Sequence, residues 1–519
     1  MTTDGTRTEG LPTGMDDAMT DRTTRIPGTA GHGADSAPSG TEPRPLALSG
    51  HLAPVPTEID AYDLPVSGTL PPELRGRYLR NGPNPLPGRG GGAHWFLGHG
   101  MLHGIRIAGG RAEWYRNRWV RTTRLAGLPS TRPDGTRDLA NNPANTHVIE
   151  HGGRLLALCE SGLPHRVTPD LDTLGPEDFG GRLHTAMTAH PKEDPVTGEL
   201  HFFGYAPTPP YVTYHRMSAS GELEHSRVVD VPAPTMMHDF AITERYVVWL
   251  DLPVTFDAAL RGTGSMPMRW NDAYGARLGV MERAGDGPVR WFDIQPCYVF
   301  HVGNAREDAA GRIVLDAVRY GRDTFNGLWE AIGGASAGQA APAPGTALPG
   351  VSGARAAAPA APGSVLYRWT LDPATGAVSE APLDDLAVEF PTLHAGHVGR
   401  AHRYLYLVSD APSGAVVRYD VTTGERQTHD VGPDRAVGEA VFVPAQDARA
   451  EDEGWLLSIV TDRSGAGSEL LVLDATDVTA APVATVRLPR AVPAGFHGSW
   501  IADGDGGADA AALGNEAGR

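Results

Sequence analysis

The chain is poor in cysteine, in aromatic residues and in long apolar runs, and each shortage removes a class of protein. Only two cysteines, Cys159 and Cys297, stand among 519 residues. That excludes the disulfide framework of a small secreted domain. Each lies in an apolar stretch, LLALCE or PCYVFH, and reads as a buried free thiol in a reducing compartment. No run of about 18 apolar residues occurs, so no spanning helix is expected. The opening MTTDGTRTEG lacks the apolar centre of a signal peptide, and a cytoplasmic location is the expectation. Positive charge is also scarce, with 44 Lys and Arg against 62 Asp and Glu and a formal net charge of -18. Such a chain repels phosphate backbones, so no nucleic-acid partner is expected. The acidic excess reads as a device for solubility. A nucleophile elbow, a phosphate-binding loop and a dinucleotide fingerprint are all missing from credible settings.

Glycine and proline are abundant, at 65 and 44 residues, and fit many short strands joined by tight turns. HVIEHGGRLLALCE alternates and then runs apolar, with a turn at Gly152-Gly153. ELHFFGYA, YVTYHRM, YVVWLDL, RIVLDAVRY, SVLYRWTL, YLYLVSD, AVVRYDV, WLLSIVT and ELLVLDA also read as strands. The clusters DPVTGE, DPATGA and DVTTGE between them are hairpin turns. Helical periodicity is sparse, with short helices expected only in stretches such as 174–184 and 384–389. Three segments are too polar or too simple in composition to form a core. They are an N-terminal tail (1–48), an Ala/Pro/Gly-rich insertion (333–363) and a C-terminal tail (502–519). One all-β domain is expected over 49–501. At about 45 to 65 residues per blade it makes a propeller of about seven blades. A pair of sandwiches, or a barrel with insertions, fits the periodicity as well.

Twenty histidines are present, and most must be ordinary core or surface residues. Four stand in segments that look built: His190 in TAHPK, His238 in MMHDF, His301 in FHVGN and His497 in GFHGSW. Each falls at the edge of a strand signal, and the long gaps assign each to a different blade. Inner strands of a propeller face one axis, so four such side chains can converge there. Imidazole suits iron(II), copper and zinc, and the spacing is unlike that of a structural zinc site. His94, His99 and His103 in HWFLGHGMLHG are weaker candidates. Gly98, Gly100 and Gly104 argue against a shared helix face, and a strand with a tight turn is expected.

Several segments, in order, resemble the carotenoid cleavage oxygenases, a family that includes apocarotenoid- and stilbene-cleaving enzymes. They are LRGRYLRNGPNP, HWFLGHGMLHGIRI, WYRNRWVRT, NTHVIEHGGRLLALCESGLPHRV, TAHPKEDPVTGELHFFGY, MMHDFAITERYVVWLD and GFHGSWI, and the resemblance covers about 53 to 501. It implies a seven-bladed propeller capped by loops and short helices around an apolar tunnel. It also implies one iron(II) per chain on His190, His238, His301 and His497. Glu160, Glu389 and Glu439 match the family's glutamates, which accept hydrogen bonds from three of the ligands. The implied reaction is a dioxygenase reaction: dioxygen is the co-substrate, and an olefin is split into two carbonyl products by a dioxetane or an epoxide-like route. It needs no catalytic residue beyond the metal ligands.

The sequence departs from the family at Leu97-Gly98-His99, where many relatives carry Asp-Gly-Asp. The tyrosine and lysine with which stilbene-cleaving relatives grip a phenol fall near Trp119 and Asn145. Without those anchors the resemblance leans to a carotenoid or apocarotenoid. A stilbene-type substrate is the alternative, and a non-catalytic propeller scaffold is a further one. A monomer acting on an apolar conjugated small molecule is expected. The stretch 252–270, with Leu252, Pro253, Val254, Phe256, Met266 and Met268, reads either as a patch that touches a bilayer surface or as ordinary core.

Overall fold

The computed structural model describes residues 48–504 except 88–93, 262, 264, 336–362 and 411. The segments expected to be tails and insertion fall almost wholly outside these residues. At their edges, Leu48 packs on the largest core cluster, and Asp503 takes two hydrogen bonds from Arg106, at 2.6 and 2.7 Å. The described chain therefore packs slightly beyond the expected limits.

Alternating burial along short strands, cut by glycine turns, produces seven large antiparallel sheets in succession, with a separate two-stranded ribbon of Val254–Phe256 and Met268–Trp270. The first sheet is built from Ile59–Tyr62, Gly76–Pro83, Gly100–Ala108 and Arg111–Trp119. The next five begin with His147–His151, Lys192–Glu193, Ala241–Ile242, Tyr298–Glu307 and Glu389–Thr392, and each has four strands. The seventh is centred on Gly454–Asp462, which pairs with both Arg435–Val437 and Val441–Pro444. Leading strands pack on one another between the first and second, fourth and fifth, and fifth and sixth blades, and Val441–Pro444 of the seventh packs on Gly498–Ala502 of the first. The outer strands alternate; Leu223–Val229, for example, buries its ends and exposes Glu224 and His225 only in part or fully. This is the seven-bladed propeller, and the sandwich and barrel alternatives fall away.

The Asp-Thr-Gly clusters are turns with one repeated mechanism. In the first, Asp194 Oδ1 accepts from Val196 N at 2.9 Å, and Gly198 N donates to the Asp194 carbonyl at 2.8 Å. The clusters at Asp372 and Asp420 repeat both bonds. Closing the turn puts Gly198, Gly376 and Gly424 at φ of 69°, 84° and 78°, a region that glycine adopts without steric cost.

The helix expectations need correction. Thr173–Pro176 and Val378–Ala387 are outer strands, because their backbones pair with a buried neighbour strand and tertiary pairing outweighs weak propensity. The one α-helix among the described residues, Arg322–Ala331, was not expected. It follows the fifth blade's second strand and buries Phe325 and Trp329, one turn apart.

The ring is closed twice. Gly498–Ala502 adds to Gly76–Pro83 in the first blade, and Val66–Gly68 adds to Ala484–Arg487 in the seventh. Asn81 fastens the first closure. Its backbone N donates to His497 O and its carbonyl accepts from Phe496 N, both at 3.0 Å. Its buried side chain donates to Ala144 O at 2.9 Å and His147 O at 3.0 Å. Asn81→Ala leaves those two carbonyls without this donor in a dry interior, at about 1–3 kcal/mol each. A thermal midpoint several degrees lower in calorimetry is expected; an unchanged midpoint would remove Asn81 from the closure.

Candidate metal centre and its cavity

The seven blades each contribute one of the seven expected residues. His190 and His238 stand just ahead of the leading strands of the third and fourth blades, and His301 lies on that of the fifth. His497 precedes the closing strand of the first blade. Glu160 follows Arg154–Leu158 in the second blade, Glu389 opens Glu389–Thr392 in the sixth, and Glu439 interrupts the inner edge of the seventh. All seven are buried.

Irregular backbone aims these side chains at the axis. The pairing of Tyr298–Glu307 slips between Val299 and Val302 and again before Asn304, on either side of His301. The pairing of Glu389–Thr392 slips within the strand, and Phe390 takes a φ of 52°. Glu439 lies between two short strands on one partner, Arg435–Val437 and Val441–Pro444. A bulge turns one side chain out of the regular alternation. Here each turns one toward the axis.

The four imidazoles meet. Ring centroids of His190 lie 4.5, 5.2 and 4.7 Å from those of His238, His301 and His497. His301 stands 5.3 Å from His238 and 4.7 Å from His497. Nitrogens of His190, His238 and His301 all fall within 4.8 Å of one another. His190 Nε2 and His238 Nε2 are 3.0 Å apart.

Three of the four outer nitrogens are tied to a carboxylate. His238 Nδ1 lies 2.7 Å from Glu160 Oε2, His301 Nδ1 2.6 Å from Glu389 Oε2, and His497 Nδ1 2.9 Å from Glu439 Oε1. A carboxylate accepts, so each Nδ1 carries the proton and each Nε2 lone pair faces the axis. His190 has no carboxylate. Burial, followed by the facing imidazoles, holds its pKa well below the ordinary histidine value, so it is neutral. Each buried glutamate faces its own histidine; burial lowers the pKa of His238, but Glu160 outweighs it and raises it above the ordinary histidine value. Imidazole donors backed by three buried carboxylates fit a divalent cation in donor type and charge.

Tyr320 was missed in the sequence. Its hydroxyl donates to Glu389 Oε1 at 2.8 Å, and Glu389 Oε2 also accepts from Phe390 N at 2.5 Å. Burial pushes the Glu389 carboxyl up, but His301, Phe390 N and Tyr320 bring it below the ordinary glutamate value. His147 was also missed; its ring lies 5.2 Å from His497.

A cavity of about 370 Å³ opens onto the histidines, and His238, His301 and His497 form part of its wall. Trp95, Phe96, Phe300, Phe390, Phe496 and Met268 supply apolar wall. Phe300 sits edge-on to His238 at 5.4 Å, and Phe390 stacks on His301 at 5.0 Å. A sequence signal for this wall existed: Phe-His occurs at both 300–301 and 496–497.

Other candidates resolve into structure. His94 caps the short turn Trp95–Leu97 by accepting from Phe96 N at 3.1 Å, and His103 pairs with Tyr115 at 2.9 Å. Trp119 turns its indole N–H to Asn84 O at 3.0 Å, in a core with Val55, Met101 and Leu125. Asn145 reaches the cavity wall but spends its amide on Phe96 O and Gly98 O, at 2.8 and 2.7 Å. Leu252, Pro253, Val254 and Met268 are buried, and Phe256, Met266 and Met268 line the cavity. Ordinary core and cavity wall thus account for most of the apolar side chains of 252–270. No helix among the described residues is long and apolar enough to cross a membrane. Cys159 and Cys297 are free and buried.

The family model described as retinal pigment epithelial membrane protein matches residues 52–502. A carotenoid cleavage oxygenase of Mycobacterium tuberculosis is 39% identical over 513 residues, which span 87% of this chain and 97% of that protein. A carotenoid 9,10(9',10')-cleavage dioxygenase 1 of Arabidopsis thaliana is 34% identical over 508 residues, 88% of this chain and 90% of that one. The crystal structure of a cobalt-substituted Synechocystis apocarotenoid oxygenase superposes with a TM-score of 0.74 at 28% identity, covering 87% of this chain and 98% of that one.

Tyr320→Phe removes one donor from a buried carboxylate and little else. A loss of about 1.5–3 kcal/mol is expected, read as a lower midpoint in thermal or urea unfolding. An unchanged midpoint would show that the phenol does not support Glu389.

Proposed function

Because the chain belongs to the carotenoid cleavage oxygenase family, we propose that it splits a conjugated double bond of a carotenoid or apocarotenoid with dioxygen at an iron(II) held by His190, His238, His301 and His497. Both oxygen atoms leave in the two carbonyl products. The observation that carries this reading is the set of three Nδ1–carboxylate pairs around four imidazoles, opening into an apolar cavity. The scaffold alternative gives no reason to bury three carboxylates there. The stilbene alternative has no support in the relatives above, which are named for carotenoid or apocarotenoid cleavage.

Iron(II), when bound, supplies the redox chemistry that lets dioxygen react with a closed-shell olefin. The chain's residues do the rest. Glu160, Glu389 and Glu439 keep three imidazoles in one tautomer and one orientation. Phe96, Phe300, Phe390 and Phe496 present flat apolar surface that holds a polyene and excludes water. No residue has to move a proton in the overall change, which fits a wall whose carboxylate–imidazole pairs are committed to the metal centre. A monomer suffices for this reading, because one chain supplies all four imidazoles. The two free thiols fit a reducing, cytoplasmic setting.

Anaerobic purification followed by metal analysis is expected to give one iron per chain. Saturating iron(II) should raise the thermal midpoint of metal-free protein, by about 2.7 kcal/mol at a hundredfold excess over Kd. His301→Ala should abolish that rise, and Glu389→Gln should weaken metal binding about 10- to 100-fold. Oxygen uptake with an apocarotenal and a stilbene in parallel should give aldehydes from the polyene alone. A protein that neither retains iron nor is stabilised by it would sink the four-histidine centre.

A further inference from the structure

One part of the cavity carries a charge without a partner. Arg124 lines the cavity together with Cys159, Ser161 and Arg137. It sits on a turn that is held from both sides. Thr122 is buried and accepts from Leu125 N through Oγ1 at 3.1 Å, and Leu125 packs with Val55, Met101 and Trp119. The guanidinium donates one hydrogen bond, from Nη2 to Leu97 O at 3.2 Å. Its Nε–H is buried and has no acceptor.

Several other buried or half-buried arginines have carboxylates, among them Arg106 with Asp503, Arg283 with Asp194 and Arg368 with Asp316, at 2.6 to 2.7 Å; Arg80 and Arg319 have none among the described residues, but neither lines this cavity. Among the described residues no carboxylate lies within ion-pair distance of Arg124. The ionisable neighbour it does have is the thiol of Cys159, and burial draws its pKa below the ordinary arginine value. Arg137, exposed on the same cavity, donates to Ser161 O at 2.5 Å and likewise meets no carboxylate among the described residues. A guanidinium remains charged at any physiological pH. Half-buried at the polar end of the cavity without a counter-charge, it is unsatisfied until something brings one. Its planar fork matches a carboxylate with two parallel hydrogen bonds, whereas an alcohol or aldehyde oxygen offers neither the second oxygen nor the charge.

We propose that Arg124 is a specificity-determining residue that takes a terminal carboxylate of the substrate, so that the chain favours a polyene carboxylic acid over the matching aldehyde or alcohol. The inference rests on the olefin cleavage proposed above and names the substrate class of that same cavity.

The test uses iron-loaded protein and a polyene acid, aldehyde and alcohol of equal chain length. Two readouts run side by side: oxygen uptake, and anaerobic binding followed by tryptophan quenching. The wild type should favour the acid over the alcohol by at least about tenfold in kcat/KM, mostly through KM. In R124M the ratio should fall to near one. R124K keeps the charge but loses the fork and should fall between. Equal treatment of acid and alcohol by the wild type would overturn the proposal. So would a change in R124M that weakens both substrates alike, because that marks a structural role. If no polyene is cleaved, the olefin-cleavage reading falls, and binding alone decides this one. Tighter quenching by the acid in the wild type but not in R124M would support it, and no difference would overturn it.

Discussion

A hydrogen bond from an imidazole Nδ1 to a buried carboxylate, made three times within 2.6 to 2.9 Å, is the interaction on which the centre of this propeller depends. Each bond fixes which nitrogen carries the proton, and so fixes where the Nε2 lone pair points. Each also commits a negative charge to the interior. Burying a carboxylate is costly unless hydrogen bonds and an opposing charge offset it. Phe390 N and Tyr320 supply hydrogen bonds at Glu389, and Gly498 N supplies one at Glu439, at 2.8 Å. A divalent cation among the Nε2 atoms would supply the opposing charge.

The propeller makes such a cluster affordable, because no single blade has to carry it. Seven blades give seven residues, one apiece; His301, Glu389 and Glu439 are aimed by local faults in otherwise regular sheets, and the other four lie where the chain enters or leaves a strand. The slips around His301, the positive φ at Phe390 and the broken edge at Glu439 are small losses of pairing. Long runs of buried strand on either side absorb them. The closing strand adds a second dependence. His497 reaches the axis only because Gly498–Ala502 is zipped to Gly76–Pro83, so the integrity of the ring and the completeness of the centre are one condition.

The sequence made the strands legible because alternating burial has a period of two residues, and the Asp-Thr-Gly clusters were legible because their chemistry is local. The four histidines could be singled out by setting, yet nothing in their spacing said that they meet. Convergence depends on ring closure, between residues such as Asn81 and His497 that lie far apart in the chain. The glutamates entered only through resemblance, since the faults that aim them leave no periodic trace. Helix placement failed in both directions. The stretch 384–389, expected to be helical, ends the outer strand Val378–Ala387, while Arg322–Ala331 was hidden by a sequence that opens Arg-Asp-Thr. The position near which the phenol-gripping tyrosine of stilbene-cleaving relatives falls, Trp119, lies in the core with its indole N–H on Asn84 O, and strand alternation decides which face such a side chain takes.

The division of labour between centre and cavity follows from these constraints. The imidazoles and carboxylates are so mutually dependent that little about them can vary without loss of the cluster, so the centre can set the reaction but not the substrate. The wall is different. Phe96, Phe300, Phe390 and Phe496 accept any flat apolar chain of suitable width, and dispersion discriminates poorly between polyenes that differ only at their ends. Discrimination needs a group that is worse off when the wrong end is bound. A half-buried guanidinium on a turn anchored by Thr122 and Leu125 meets that requirement, because its unused donors are a cost that only an acceptor can remove. The polar end of the cavity, rather than its metal end, is therefore where one member of such a family can differ from another without disturbing the fold that supports both.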